Sequence, residues 1–67
     1  MTIEEFLKNN IEAEVQIGSC SLYYEGGNWV VVILSKRSRR FIIIDRFLAE
    51  KDGSFSEALE CLRASGK

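Results

Sequence analysis

The feature that most constrains the fold is a pair of apolar segments separated by a short basic stretch. Residues 29–34 read Trp-Val-Val-Val-Ile-Leu, and residues 41–44 read Phe-Ile-Ile-Ile. β-branched side chains lose rotamer freedom in a helix and pack well on a pleated strand, so both segments are predicted to be β-strands. Neither has a polar face, which is typical of strands covered on both sides. We therefore expect helices on both faces of the sheet, or a helix on one face and another subunit on the other.

Length and composition narrow the class of protein. With 67 residues, the chain is long enough for one domain with one small core, and we expect residues 1–67 to form it. Its hydrophobic content of 46% and charged content of 28% are those of a folded protein rather than of a disordered tail. No apolar run approaches the roughly 20 residues that a membrane-spanning helix needs. Residues 1–6 lack the basic and then apolar pattern of a secretory signal, so a cytoplasmic location is expected.

Helices are predicted at both ends of the chain. Thr2 with Glu5 three residues later forms a capping box, and Asn9-Asn10 ends the short first helix. Ser54 with Glu57 gives a second capping box at the start of the last helix. An apolar stripe at helical spacing then follows: Phe55, Ala58, Leu59 and Leu62. The stripe is expected to pack on the sheet.

Two turns divide the middle of the chain into strands. Residues 25–28, Glu-Gly-Gly-Asn, tolerate the positive φ angles of a tight hairpin, and residues 35–38 form a polar turn. Ala13 to Tyr24 is either one strand bent at Gly18-Ser19 or two strands joined there, and the sequence does not decide between them. The predicted class is α+β: a short N-terminal helix, a three- to four-stranded antiparallel meander, and a C-terminal helix packed on the sheet.

Signals for catalysis or cofactor binding are absent from the sequence. The chain has no histidine, the commonest general base, and its glycine pair at 26–27 lies in a hairpin rather than at the start of a helix. Cys20 and Cys61 are expected to be buried thiols, with a disulfide in an oxidising compartment as the alternative. Two thiolates without histidine do not form a zinc site. We predict no enzyme activity, no metal, no cofactor and no small-molecule substrate.

The net charge is only −1, but the charges are segregated along the chain. Residues 1–25 are acidic, whereas the second turn gathers four cations in five residues: Lys36, Arg37, Arg39 and Arg40. Such a hairpin can contact nucleic-acid phosphates or an acidic protein, and it can equally keep a β-rich protein soluble. Tyr23 and Trp29 flank the glycine turn, where aromatic side chains stack on bases, anchor an interface or pack across strands.

The run from Cys20 to Leu62 resembles the three-stranded-sheet-plus-helix DNA-binding domain of plant ethylene-response factors and phage-type integrases. In that family a glycine turn precedes a tryptophan-led strand, a basic turn leads to a strand ending in phenylalanine, and a helix begins with Glu-Ala. The matching positions are Gly27, Trp29, Ile33, Arg39, Phe47, Glu57 and Ala58. The resemblance implies this fold and DNA binding. The chain departs from the family at Asp45, where a glycine is usual, and in lacking the arginines of the first two strands.

The leading expectation is a small non-enzymatic interaction module that forms a homodimer or binds another protein through an apolar sheet face. Its apolar strands carry more apolar surface than a monomer of this length hides, and exposed apolar patches mark interfaces. The candidate interface, covered by the first helix or shared with the partner, is Val30, Val32, Ile42 and Ile44. The alternative is a nucleic-acid-binding domain that places residues 36–40 on phosphates. No membrane partner is expected.

Overall fold

The computed structural model describes residues 2–66 and forms four antiparallel strands between two helices. The elements are α1 (Ile3–Asn9), β1 (Val15–Ile17), β2 (Cys20–Glu25), β3 (Asn28–Leu34), β4 (Phe41–Leu48) and α2 (Ser54–Ser65). The strands make one sheet in the order β1-β2-β3-β4, so each strand lies beside its neighbour in the chain. This confirms the predicted α+β class, with a meander of four strands.

The tight turns of the meander are made by glycines in the left-handed backbone conformation. Gly26 and Gly27 have φ angles of 57° and 81°, which a residue without a Cβ adopts at no steric cost. Gly18, with a φ of 61°, turns the chain between β1 and β2. The segment from Ala13 to Tyr24 therefore contains two antiparallel strands, which settles the question that the sequence left open.

Both helices pack on the same face of the sheet, which we call the helix face. α1 contributes Leu7, and α2 contributes Ala58 and Leu62, to the hydrophobic core. The strand residues of that core are Cys20, Leu22, Trp29 and Val31. The opposite, outer face carries Val30 and Val32, which are each 3% exposed and lie outside the core that the helices join. The expectation that helices cover both faces of the sheet is therefore wrong.

The starts of the two helices are capped in different ways. At α1 the Glu5 N–H donates to Thr2 Oγ1 at 3.1 Å, as the predicted cap requires. At α2 the capping residue is Gly53, which has a φ of 80° and no side chain to accept a hydrogen bond. The Ser54 hydroxyl instead donates to the Ala49 carbonyl oxygen at 3.3 Å in a buried contact. The second predicted capping box is wrong because Ser54 lies inside the helix and anchors it to the end of β4.

Neither helix is large. α1 has 7 residues and α2 has 12. Within residues 2–66, no helix is long and apolar enough to cross a membrane. α1 buries Leu7, whereas its other two large apolar residues, Ile3 and Phe6, remain exposed. Because so short a helix does not persist alone in water, the contact of Leu7 with the core is what holds α1 in place.

Candidate interaction surface

β4 is the most exposed strand of the sheet and also one of its most apolar segments. It lies at the edge, so among residues 2–66 only β3 pairs with it as a strand. We use the name β4 patch for its exposed large apolar side chains and one neighbour on β3: Leu34, Phe41, Ile42, Ile43, Ile44 and Leu48. Phe41 to Ile44 are consecutive and Leu34 lies opposite Phe41, whereas Leu48 lies at the other end of the strand. Phe41 is 58% exposed and Ile42 is 53% exposed. Single exposed apolar side chains are common in proteins, but contiguous patches of them mark interaction sites.

A β-bulge in β4 changes the register between its two halves. Val31 pairs with Asp45, whereas the next residue, Val32, pairs with Ile43. Ile44 is therefore an extra residue that faces no single partner on β3. The side chains of β4 alternate between the two faces both before and after Ile44, but the inserted residue shifts one half of the strand by one position relative to the other.

The bulge decides which side chains share a face. Ile43 lies opposite Val32 on the outer face, and Ile42 lies opposite Ile33, which packs against the core on the helix face. α1 also packs on the helix face, so it does not cover the valines of the outer face. The prediction of one shared face is therefore wrong for the set Val30, Val32, Ile42 and Ile44. An alternation count along the sequence cannot detect an inserted residue.

The basic segment is the loop between β3 and β4. Its four cations are all exposed: Lys36, Arg37, Arg39 and Arg40. The Ser35 N–H donates to the Arg40 carbonyl at 2.9 Å, and the Arg39 N–H donates to the Ser35 carbonyl at 2.7 Å. Arg39 has a φ of 57°, a conformation that costs a residue with a Cβ about 1 kcal/mol. None of the four cations forms an ion pair with another residue of the described range 2–66.

The aromatic residues beside the glycine turn have different positions. Trp29 is fully buried at 0% exposure, and its ring centroid lies 5.2 Å from that of Tyr24 and 4.7 Å from that of Phe55. Trp29 therefore has no free ring face, so base stacking and an interface role are wrong for it, and packing across strands, the third alternative, is the one that the structure shows. Tyr23 is half-buried and lies opposite Val30 on the outer face.

The two cysteines are free thiols on different elements. Cys20 on β2 is fully buried in the core. Cys61 on α2 packs against the same core but is only half-buried. The expectation of thiols rather than a disulfide agrees with this structure, although only Cys20 is enclosed.

A groove of about 480 Å³ lies between α1 and the connection from β4 to α2. Its charged lining includes Glu4, Lys8, Glu50, Lys51 and Asp52. Glu4 and Lys8 form an ion pair across one helical turn, with 3.5 Å between Oε2 and Nζ. Because both signs of charge line the groove, it selects neither an anion nor a cation.

Comparisons with known proteins supply no relative from which a function transfers. No protein-family model, curated protein or solved structure matches this chain. Function is therefore inferred from the surfaces of the described residues, of which the β4 patch and the basic loop are the two with a distinct chemical character.

Proposed function

We propose that this protein is a small non-enzymatic interaction module that self-associates through the β4 patch. The observation that supports the proposal is the exposure of Phe41 to Ile44, a run of four large apolar side chains, on an edge strand. Such a strand is an aggregation hazard unless something covers it. A second copy of the chain supplies an apolar surface of the same extent, as a two-fold dimer requires.

The distribution of apolar residues on the two faces of the sheet favours the patch over the rest of the surface. Val30 and Val32 on the outer face are already almost fully buried, at 3% exposure each, so covering them further contributes little free energy of association. The side chains of the β4 patch remain in water, and removing them from it is favourable at about 25 cal/mol per Å² of apolar area. The free energy of association is therefore expected to come mainly from β4.

A charged substitution in the patch tests this proposal. We expect Ile43→Lys to weaken self-association at least about 30-fold, the effect of losing a central interface residue. Ile11→Lys is the matched control, because Ile11 is also an exposed isoleucine but lies between α1 and β1, away from β4. Sedimentation equilibrium over a range of concentrations measures both variants and the wild-type protein. A wild-type chain that stays monomeric at high concentration would refute self-association, and equal effects of the two variants would refute the patch.

The exposed basic loop supports a second candidate, nucleic-acid binding through Lys36 to Arg40. The specific observation is the backbone of Arg39, which has a φ of 57°. Glycine would adopt this conformation without strain, but the position carries a cationic side chain. The family resemblance of residues 20–62 points to the same activity. Binding through a loop of this kind would be dominated by phosphate contacts, because four of the six residues 35–40 are exposed cations.

Fluorescence anisotropy with a random-sequence DNA duplex tests the second candidate. We expect affinity to fall with salt, with a slope of log K against log salt of about −0.9 for each phosphate contacted. Arg37→Gln combined with Arg40→Gln should reduce the magnitude of that slope by the amount expected for about two phosphate contacts. Lys51→Gln combined with Arg63→Gln removes the same charge elsewhere and should leave the slope unchanged. Absence of binding at low ionic strength would eliminate this candidate.

A further inference from the structure

From the backbone of β4 we infer that self-association is edge to edge: the first half of β4 pairs antiparallel with the same segment of a second copy. The two-fold axis passes between the Ile42 residues, and the two sheets become one sheet of eight strands. This inference rests on the proposed self-association and specifies its geometry. It follows from the direction of the backbone groups, the faces of the side chains and the positions of the charges.

The hydrogen bonds of β3 fix which groups of β4 point outward. The Leu34 N–H donates to the Ser19 carbonyl at 2.9 Å, on the β2 side of the strand. The backbone N–H and carbonyl of Leu34 therefore point toward β2. Phe41 lies opposite Leu34, so this pair makes no backbone hydrogen bonds between β3 and β4. The next pair toward the loop is bonded, since the Ser35 N–H donates to the Arg40 carbonyl. Phe41 thus directs its N–H and carbonyl to the open edge.

The same alternation continues along the strand. Ile42 lies opposite Ile33 and directs its backbone groups to β3, whereas Ile43 directs its groups outward. The outward-facing residues Phe41 and Ile43 are separated by one residue. In a pairing centred on Ile42, Phe41 of one copy lies opposite Ile43 of the other, and each pair exchanges two hydrogen bonds.

The second half of the edge is closed by the protein itself. The Arg46 N–H donates to the Asp45 Oδ1 at 2.8 Å, so this backbone donor is already satisfied. The bulge at Ile44 and the two adjacent charges are also features that discourage pairing between edges. The free part of the edge is therefore the segment from Phe41 to Ile43.

The side chains of that segment point to both faces of the sheet. Phe41 and Ile43 lie on the outer face and Ile42 on the helix face, and all three are exposed. Stacking two outer faces would leave Ile42 and the backbone edge in water. Pairing at the edge covers side chains on both faces, because each meets an apolar neighbour across the new seam.

The free segment from Phe41 to Ile43 selects this register among the symmetric ones. Facing residues must lie on the same face of the continuous sheet. An axis at Asp45 or at Arg46 would place each of these residues opposite itself, with like charges in contact. An axis at Ile43 would bring the bulge at Ile44 opposite Ile42, and an axis at Phe41 would bring Ile43 opposite Arg39, which lies in the loop outside β4. An axis at Ile42 pairs the two outward-facing residues of the free segment, Phe41 and Ile43, with each other.

A cysteine at the two-fold axis tests the geometry. In an antiparallel pair that is not hydrogen-bonded, the Cα atoms are about 4.5 Å apart, which lies within the range that a disulfide spans. We expect Ile42→Cys, in a Cys61→Ser background, to oxidise to a covalent dimer that a reductant reverses. Ile43→Cys is the matched control, because its Cα would lie about 8 Å from its own symmetry mate and out of reach. Non-reducing electrophoresis and intact mass report the product.

Amide hydrogen exchange in the wild-type protein provides a second measurement that needs no variant. We expect the Phe41 and Ile43 amides to become protected, at least about tenfold, as the concentration rises into the associated range. The Leu48 amide lies outside the seam and should not change. Concentration-dependent association without a disulfide at Ile42 and without this protection would overturn the edge geometry and leave the proposed function standing. A preferential disulfide at Ile43 would overturn the register, and a strictly monomeric protein would overturn both proposals.

Discussion

Trp29→Ala is expected to lower the free energy of unfolding by about 3–5 kcal/mol, which leaves a domain of this size mostly unfolded at room temperature. Trp29 is fully buried and its ring packs on Tyr24 and Phe55, so the substitution removes the aromatic contact between β2, β3 and α2. The start of α2 would lose the surface against which Phe55 packs. Urea unfolding followed by far-UV circular dichroism, at one fixed protein concentration, measures the loss.

Trp29→Phe separates the packing of the ring from its polar atom. Among the described residues, the buried indole Nε1 has no hydrogen-bond acceptor. An unpaired buried donor costs about 1–3 kcal/mol, and this offsets the packing lost when the smaller phenyl ring replaces the indole. We therefore expect Trp29→Phe to lie within about 1.5 kcal/mol of the wild type. A loss as large as that of Trp29→Ala would show that the indole N–H is bonded in solution.

Gly18→Ala is expected to lower the free energy of unfolding by about 2–4 kcal/mol, because two penalties combine at this position. Gly18 has a φ of 61°, and a Cβ there would collide with the Gly66 carbonyl oxygen. That oxygen belongs to backbone and cannot rotate away. The β1–β2 turn or the end of α2 must therefore move, and the packing of Ile17 against Gly66 would be lost with it.

Gly26→Ala is the matched control for this prediction. Gly26 has nearly the same backbone conformation, with a φ of 57°, but a Cβ there meets nothing within 4 Å. Only the conformational penalty applies, so we expect a loss of about 1 kcal/mol. The difference between the two variants in urea unfolding isolates the close approach of the turn to α2. Equal losses would mean that Gly18 and Gly66 are not in contact in solution.

The elements that the sequence predicted correctly have local causes. The Gly26-Gly27 turn, the β-branched run of β3 and the cap at Thr2 each depend on residues within a few positions of one another. Ser54 is the local signal that misled: serine followed three residues later by glutamate fits a capping box, but the Glu57 N–H donates to the Gly53 carbonyl and the Ser54 hydroxyl donates to the Ala49 carbonyl. Competition from a partner outside the helix is not visible in a short sequence window.

The candidate surface was predicted less well than the fold. Apolar β4 was identified, but the sequence alone did not place it at the edge. The signal that was missed is Asp45-Arg46, because a charged pair inside an otherwise apolar strand is a feature of protected edges. The hydrogen bond from the Arg46 N–H to the Asp45 carboxylate marks the end of the free edge.

The sequence by itself determined where the chain turns, which segments are strands and that β3 and the first half of β4 are apolar on both sides. These properties depend on backbone preferences and side-chain branching, which act over a few residues. Only the tertiary structure decided that both helices lie on one face, that Ile44 is an inserted residue, and that β4 lies at an edge of the sheet. Those outcomes depend on hydrogen bonds and packing between distant residues, and one inserted residue is enough to exchange the faces of all the side chains before it.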